Sequence, residues 1–129
     1  MFNKLYQVIV TIVLPFIYLL LAYRKKIGKE HPKRFPERLG IPSQKRPKGK
    51  LCWFHSASVG EFISILPLIN YLSKKQPKLN ILLTTGTLAS AKLAGEKLPK
   101  NTIHQFVPID SNKAVKNFLK HWQPNIGIW

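Results

Sequence analysis

The strongest constraint on the fold is a long uncharged segment near the N-terminus. Residues 5–23, LYQVIVTIVLPFIYLLLAY, contain no Asp, Glu, Lys or Arg. As an α-helix this segment would be roughly 28 Å long, close to the hydrocarbon thickness of a bilayer, and Pro15 would only kink it. The alternatives are a buried helix of a soluble domain and a cleaved signal peptide, whose apolar region is shorter and is followed by small residues. Because the run ends in Tyr23-Arg24-Lys25-Lys26, we predict an uncleaved membrane anchor over residues 1–23.

The basic residues around this segment predict its orientation. Lys4 alone precedes the span, whereas six basic residues follow it: Arg24, Lys25, Lys26, Lys29, Lys33 and Arg34. Because positive side chains favour the cytoplasmic side, we predict that the chain beyond the span is cytoplasmic. Cys52 is the single cysteine, so an internal disulfide is impossible, as suits a reducing compartment.

The excess of positive charge raises the question of what the chain binds. The net charge is +16, and eleven of the 21 basic residues lie in residues 24–50, directly after the span. Such a cluster suits anionic lipid headgroups or an anionic lipid substrate, while a solvated linker remains an alternative. No zinc-ligand spacing or recognition-helix pattern supports nucleic acid, so we predict no nucleic-acid partner. Four prolines in this stretch predict a loop-rich linker over 24–50, called the basic segment below.

Residues 51–129 alternate between short apolar runs and segments of helical period. The runs at 51–55, 80–85, 103–107 and 125–129 are apolar on both faces, as central parallel strands are. The intervening helices are predicted over 61–75, over 87–98, and from Asp110 or Ser111 onward, the last with its inward face listed as Ala114, Val115, Phe118 and Leu119. The order β-α-β-α-β-α-β predicts an α/β fold, one half of a doubly wound parallel sheet. The sequence ends at Trp129, directly after the fourth strand, so we expect a fragment.

The segment HSASVGE at 55–61 lies where the first strand should end and a helix should begin. Small residues there, Ser56 and Gly60 among them, allow a ligand to approach the backbone and the helix N-terminus. Ser58 and Glu61 match the capping box S-x-x-E, in which the glutamate returns to the N-cap amide. From the residues alone, Glu61 is therefore either a cap or a catalytic base, and His55 is either a satisfied strand-end histidine or a ligand-binding group.

Five elements follow one another along the chain: the anchor, RFPERLG at 34–40, HSASVGE at 55–61, Thr84-Thr85-Gly86-Thr87, and His104 through Pro108 to Asp110. In these elements and their order the chain resembles the 3-deoxy-D-manno-octulosonic acid (Kdo) transferases of lipopolysaccharide synthesis. The resemblance implies a two-domain glycosyltransferase of GT-B type with facing Rossmann-like halves. On this basis residues 51–129 are the acceptor-side half, and the C-terminal half is absent.

The resemblance also implies an activity and a set of residue roles. Glu61 matches the family's proton acceptor, which would activate a hydroxyl of a lipid A precursor (lipid IVA) for inverting attack on Kdo, with CMP leaving. Candidate contacts to the acceptor are His55, Ser56, Ser58, Gly60, Lys33, Arg34 and Arg38, whereas Glu37 is expected to be an ion-pair partner. No cofactor and no metal are implied, and the site for the CMP-Kdo donor is expected in the missing half. The implied location is the bacterial inner membrane, and we expect the fragment alone to be inactive. A non-catalytic, membrane-anchored lipid-binding module remains the alternative.

Overall fold

A computed structural model describes residues 2–128 of the chain. It contains four α-helices, one 3-10 helix and four strands within this range: α1 Phe2–Lys26, the 3-10 helix Phe35–Leu39, β1 Leu51–Ser56, α2 Val59–Lys75, β2 Asn80–Thr85, α3 Leu88–Lys97, β3 Thr102–Phe106, α4 Asn112–Trp122 and β4 Ile126–Ile128. Within residues 51–128 each predicted strand and helix lies within two residues of its predicted bounds, whereas α1 continues three residues past the predicted end of the anchor, to Lys26. Trp129, which the sequence assigned to the fourth strand, lies outside the described residues.

The four strands form one parallel sheet in the order β3-β2-β1-β4. β1 is central and pairs with β2 from Leu51↔Asn80 to Ser56↔Thr85, and with β4 from Cys52↔Ile126 to Phe54↔Ile128. The chain therefore winds outward from β1 to β3 and then returns to the other side of β1 for β4. This reversal of strand order creates a crevice at the carboxyl ends of β1 and β4, where ligands bind in doubly wound folds. The predicted α/β fold with a parallel sheet is confirmed.

Both faces of the sheet are covered, which explains why the strands are apolar throughout. On one face, Cys52 and Phe54 pack against Phe62 and Ile69 of α2 and Ala94 of α3. On the other face, alternate strand residues pack against α4, in a cluster formed by Leu51, Leu82, Phe118 and Trp122 with Trp53 and Ile103 at its edge. Successive strand residues point to opposite faces, so strands buried on both sides have no polar alternation.

The inward face of α4 matches the predicted one at Ala114 and Phe118 but includes Trp122 in place of Val115 and Leu119. Its buried residues are Ala114, Phe118 and Trp122, whereas Leu119 is 42% exposed. The helix begins after Ser111, whose hydroxyl accepts from the amide of Ala114 at 3.1 Å. The buried residues are spaced four apart along one face as far as Trp122. The buried stripe of α4 is therefore narrower and longer than predicted.

The N-terminal helix α1 is long and apolar enough to cross a membrane, by length and composition. Most of its described side chains are exposed, whereas Leu21 is buried. Near its start, the Tyr6 hydroxyl donates a hydrogen bond to the Asp110 carboxylate. Near its end, Arg24 pairs with Glu30 at 3.0 Å.

Candidate functional site

Glu61 lies in the first turn of α2, at the carboxyl edge of the sheet. Ser58 is the N-cap and accepts from the Glu61 amide at 3.2 Å, as the capping box predicts. The Glu61 carboxylate, however, accepts from the amide of Ala57 at 2.6 Å, one residue before the amide that we predicted. This contact holds one carboxylate oxygen, Oε2, while the side chain remains exposed. The N-terminus of α2 places positive partial charge beside this carboxylate.

Gly60 precedes this glutamate in the same turn and is exposed. A side chain at this position would meet the Ser58 hydroxyl at 4.0 Å and no other atom within that distance, so packing does not require glycine here. The open backbone leaves room for a ligand beside Glu61. Ser56 differs, because it is fully buried and its hydroxyl has no hydrogen-bond partner among residues 2–128.

His55 and Trp53 follow one another on the α4 side of β1 and share one buried partner. The Thr84 hydroxyl of β2 lies 2.9 Å from His55 Nδ1 and 2.9 Å from Trp53 Nε1. Trp53 and His55 also line an open cleft of about 630 Å³ together with Val107 and Asp110. The cleft combines an aromatic wall, an imidazole and a carboxylate, a set of groups suited to a polar organic ligand.

The motif RFPERLG in the basic segment packs against the sheet and is not a free, solvated loop. Glu37 is 1% exposed and receives Arg34 through two hydrogen bonds of 2.9 Å, to its two carboxylate oxygens. The same carboxylate accepts the backbone amide of Phe106, at the end of β3, at 2.8 Å. The expected role of Glu37 as an ion-pair partner is therefore observed. A buried carboxylate needs such complete pairing, because an unpaired charge inside a protein is very costly.

Arg38 forms a second buried group beside the first. It pairs with Glu30 at 3.1 Å, and its guanidinium also donates to the carbonyls of Gly86 and Val107, which follow β2 and β3. The backbone carbonyl of Arg38 accepts from the Ile109 amide at 2.8 Å. The basic segment thus joins the carboxyl ends of two strands. Glu30 was not singled out from the sequence, although it is an acid within a strongly basic stretch.

The buried ring of His104 in β3 lies between Arg34 and the Thr85 hydroxyl of β2. Its Nδ1 lies 3.0 Å from Arg34 Nη2, and its Nε2 lies 2.8 Å from the Thr85 hydroxyl. Because arginine can only donate, Nδ1 accepts and the ring proton lies on Nε2. Burial, together with the positive charges of Arg34 and Arg38, lowers the pKa of His104 to about 3. The ring is neutral in the folded protein at physiological pH.

This buried histidine predicts a loss of stability in mild acid. In the unfolded chain a histidine titrates near about 6.5, so between about pH 6.5 and 3 the unfolded state binds a proton that the folded state excludes. Stability is therefore fully present above the unfolded pKa and is lost as the pH falls. We expect His104 to contribute a loss of about 2 kcal/mol between about pH 7 and pH 5. Urea unfolding of the chain in detergent at both pH values measures it. His104→Asn keeps an acceptor for Arg34 and should remove most of this dependence, and an unchanged pH dependence would contradict the assignment.

The structure brings some predicted site residues together and separates others. His55, Ser56, Ser58, Gly60 and Glu61 lie at or just beyond the carboxyl end of β1. In the basic segment, Lys33 is exposed, whereas Arg34 and Arg38 direct their donors to Glu37, Glu30 and backbone carbonyls. Contacts of all these residues with an acceptor stay predictions. Within residues 2–128, His, Cys, Asp and Glu form no group of three that could hold a metal ion.

The sequence pattern does not indicate that Val107 and Asp110 line the cleft with His55. It allows Asp110 as a helix cap, but Ser111 takes that role, and Asp110 lines the cleft instead. It also assigns no separate role to Thr84 within the T-T-x-T segment. The available signal was scarcity, because the chain has five acidic residues and Asp110 is one of them, four residues beyond the end of β3.

The fold and this edge define the chain as a Rossmann-like α/β domain, with a carboxylate at the crevice where ligands of such sheets bind. The chain belongs to the 3-deoxy-D-manno-octulosonic-acid transferase (kdotransferase) family, whose N-terminal domain profile matches residues 33–129. It is 40% identical over 122 residues to a probable mitochondrial 3-deoxy-D-manno-octulosonic acid transferase of Arabidopsis thaliana, covering 95% of this chain and 27% of the relative. It is 38% identical over 126 residues to the 3-deoxy-D-manno-octulosonic acid transferase of Rickettsia bellii, covering 98% of this chain and 30% of the relative. The chain thus spans less than a third of the length of these relatives. No solved structure matches it.

Proposed function

We propose that this chain belongs to the acceptor-side half of an enzyme that transfers Kdo from CMP-Kdo to a lipid A precursor. The observation that carries the proposal is the exposed Glu61 carboxylate at the carboxyl edge of the sheet in a chain of the Kdo transferase family. Its position at a helix N-terminus, with one oxygen held by the Ala57 amide, suits a group that must stay ionised until it takes a proton.

In the proposed reaction Glu61 acts as the general base. Its Oε2 is held by the Ala57 amide, and Oε1 receives the proton of the acceptor hydroxyl. The hydroxyl oxygen then attacks the anomeric carbon of Kdo from the side opposite the CMP group, and the bond to CMP breaks. A base is needed because a sugar hydroxyl is a poor nucleophile until its proton is removed.

The remaining groups are divided between this chain and the rest of the enzyme. We assign acceptor contacts to His55, Ser58, Gly60 and the exposed Lys33, and we assign CMP binding to the portion of the relatives that extends beyond the matched region. Stabilisation of the leaving group belongs with that portion. On this basis we expect the chain by itself to bind acceptor without transferring Kdo.

We further propose that α1 anchors the protein in the bacterial inner membrane, with the sheet on the cytoplasmic side. The exposed lysines at and after the end of α1 would then face anionic headgroups; they are Lys25, Lys26, Lys29 and Lys33. In a membrane-crossing orientation Tyr6 would lie about 27 Å from Arg24 along the helix axis. Insertion would therefore exchange the Tyr6–Asp110 hydrogen bond for lipid contacts and free Asp110 in the cleft.

Binding of the acceptor by this chain tests the proposal directly. The chain in detergent micelles is titrated with lipid IVA, with phosphatidylglycerol as an anionic control, and tryptophan fluorescence reports binding. We expect lipid IVA to bind at least about tenfold more tightly, a difference of about 1.4 kcal/mol, because the cleft and crevice add contacts that headgroup charge does not supply. Equal affinities would show that the basic surface alone binds lipid and would contradict the proposal.

A further inference from the structure

The Thr84 hydroxyl is the buried junction between two side chains of the cleft. Thr84 is fully buried, and its oxygen lies 2.9 Å from both Trp53 Nε1 and His55 Nδ1. A hydroxyl has one hydrogen to donate and two lone pairs that accept. The indole N–H can only donate, so Trp53 occupies one lone pair of Thr84.

The hydroxyl hydrogen then has two possible acceptors. One is His55 Nδ1 at 2.9 Å, and the other is the Phe54 carbonyl at 3.5 Å. The longer distance is beyond the usual range of hydroxyl hydrogen bonds, which is about 2.5–3.0 Å. If Nδ1 carried the proton and donated to the second lone pair, the buried hydroxyl hydrogen would be left with only the distant Phe54 carbonyl. A proton on Nε2 instead lets the hydroxyl donate to Nδ1 at 2.9 Å.

We propose that Thr84 fixes His55 in the tautomer that carries its proton on Nε2, and that this N–H is what His55 presents to a ligand in the cleft. Thr84 acts as a positioning residue, because it reaches a ligand only through His55. Trp53 supports it by donating to one of the two lone pairs of the Thr84 oxygen, which leaves the hydroxyl hydrogen to be donated to Nδ1.

The same cleft holds Asp110, which narrows the class of ligand. An N–H donor on β1 and a carboxylate acceptor after β3 line one space of about 630 Å³. A hydroxyl group can satisfy both, because its oxygen accepts from Nε2 and its hydrogen is donated to a carboxylate. A phosphate would bring negative charge toward Asp110. The cleft is thus assigned to the hydroxyl-bearing part of a saccharide rather than to a phosphate, which deepens the proposed function and rests on it for the identity of the saccharide.

Nitrogen NMR of the histidine rings tests the tautomer in the intact chain. The chain is labelled with ¹⁵N-histidine in detergent micelles, and long-range ¹H–¹⁵N correlations are recorded at about pH 8, where an ordinary histidine is neutral. His55→Gln assigns the signals among the four histidines. We expect His55 to show a protonated Nε2 and an unprotonated Nδ1. A proton on Nδ1 in the unmodified chain would overturn the proposal, whether or not any variant folds.

Two substitutions of Thr84 separate the effect of its hydroxyl on the His55 tautomer from the effect of its packing. Thr84→Ser keeps the hydroxyl and should preserve the tautomer. Thr84→Val keeps the shape, removes the hydroxyl, and should give a mixture of both tautomers with a folded amide spectrum. Unchanged His55 signals in folded Thr84→Val would show that the hydroxyl does not set the tautomer.

The ligand class is tested with two probes in the same spectra. Titration with the neutral disaccharide N,N′-diacetylchitobiose should shift the His55 Nε2 signal, while inorganic phosphate should shift it less. A larger shift with phosphate, or no shift with the disaccharide, would overturn the assignment to hydroxyl groups. The tautomer is measured without any transferase reaction. If the proposed transferase function were wrong, the result for the His55 tautomer would therefore still stand.

Discussion

Replacing Glu61 by glutamine is expected to lower kcat for Kdo transfer by about 10²–10⁴-fold, the usual contribution of a general base. The test uses a complete transferase that carries these 129 residues, made by joining the chain to the remaining length of its Rickettsia bellii relative. Glutamine removes the base but keeps an oxygen that can accept from the Ala57 amide. Transfer of Kdo from CMP-Kdo to lipid IVA is followed by separation of the labelled lipid product.

Two comparisons separate the base from the helix cap at this position. Glu96→Gln changes an exposed glutamate near the end of α3 and should leave transfer unchanged. Unfolding in urea should show that Glu61→Gln changes stability by less than about 1 kcal/mol, since the capping contact can be kept. If Glu61→Gln retained full transfer, Glu61 would be a cap alone, and the proposed mechanism would be wrong.

Replacing Gly40 by alanine is expected to destabilise the folded chain by about 3 kcal/mol or more. Gly40 ends the 3-10 helix with φ of 77°, in the left-handed region that glycine favours. A Cβ there would lie 2.2 Å from the backbone carbonyl oxygen of Ala114 in α4. Since both partners are backbone in packed elements, neither can move away without displacing Glu37 and Arg38 from the sheet. Urea unfolding of the chain in detergent, followed by tryptophan fluorescence, measures the loss.

Gly28 supplies a matched control for the backbone strain alone. Its φ is 75°, nearly the same as that of Gly40, but a Cβ there would meet nothing within 4 Å. Gly28→Ala should therefore cost only the left-handed conformation, about 1–2 kcal/mol. Equal losses in the two variants would mean that α4 does not press on Gly40 as the structure indicates.

The strands and helices of residues 51–128 were predictable because their signals are local. Strands buried on both faces are uninterrupted apolar runs, and the helices between them carry a period of 3.6 and a Ser or Thr at the start, as with Ser58 and Ser111. The inward face of α4 was misjudged because Val115 and Leu119 are as apolar as the true core residues. Only tertiary packing against Leu51 and Leu82 selects Phe118 and Trp122.

The candidate site was predictable only where one short motif carries it. Glu61 and Ser58 lie three residues apart, so their capping contact follows from spacing. The partnership of Glu37 with Phe106, or of Arg38 with Gly86, joins residues 69 or 48 positions apart, and no local pattern signals it. Three elements of the family resemblance, RFPERLG, the T-T-x-T segment and the segment from His104, contact one another through these long-range bonds.

The basic segment also limits the distance between the end of α1 and the sheet. A free coil of its length would have an end-to-end distance of about 25–30 Å. Here Glu30, four residues beyond α1, forms ion pairs with both Arg24 and Arg38. Arg38 in turn donates a hydrogen bond to the carbonyl of Gly86 at the edge of the sheet. With α1 in a bilayer, the carboxyl edge of the sheet would stay at a nearly constant distance from the lipid headgroups. Under the proposed function, selection of the acceptor would then depend on how far its hydroxyl protrudes from the membrane as well as on its chemistry.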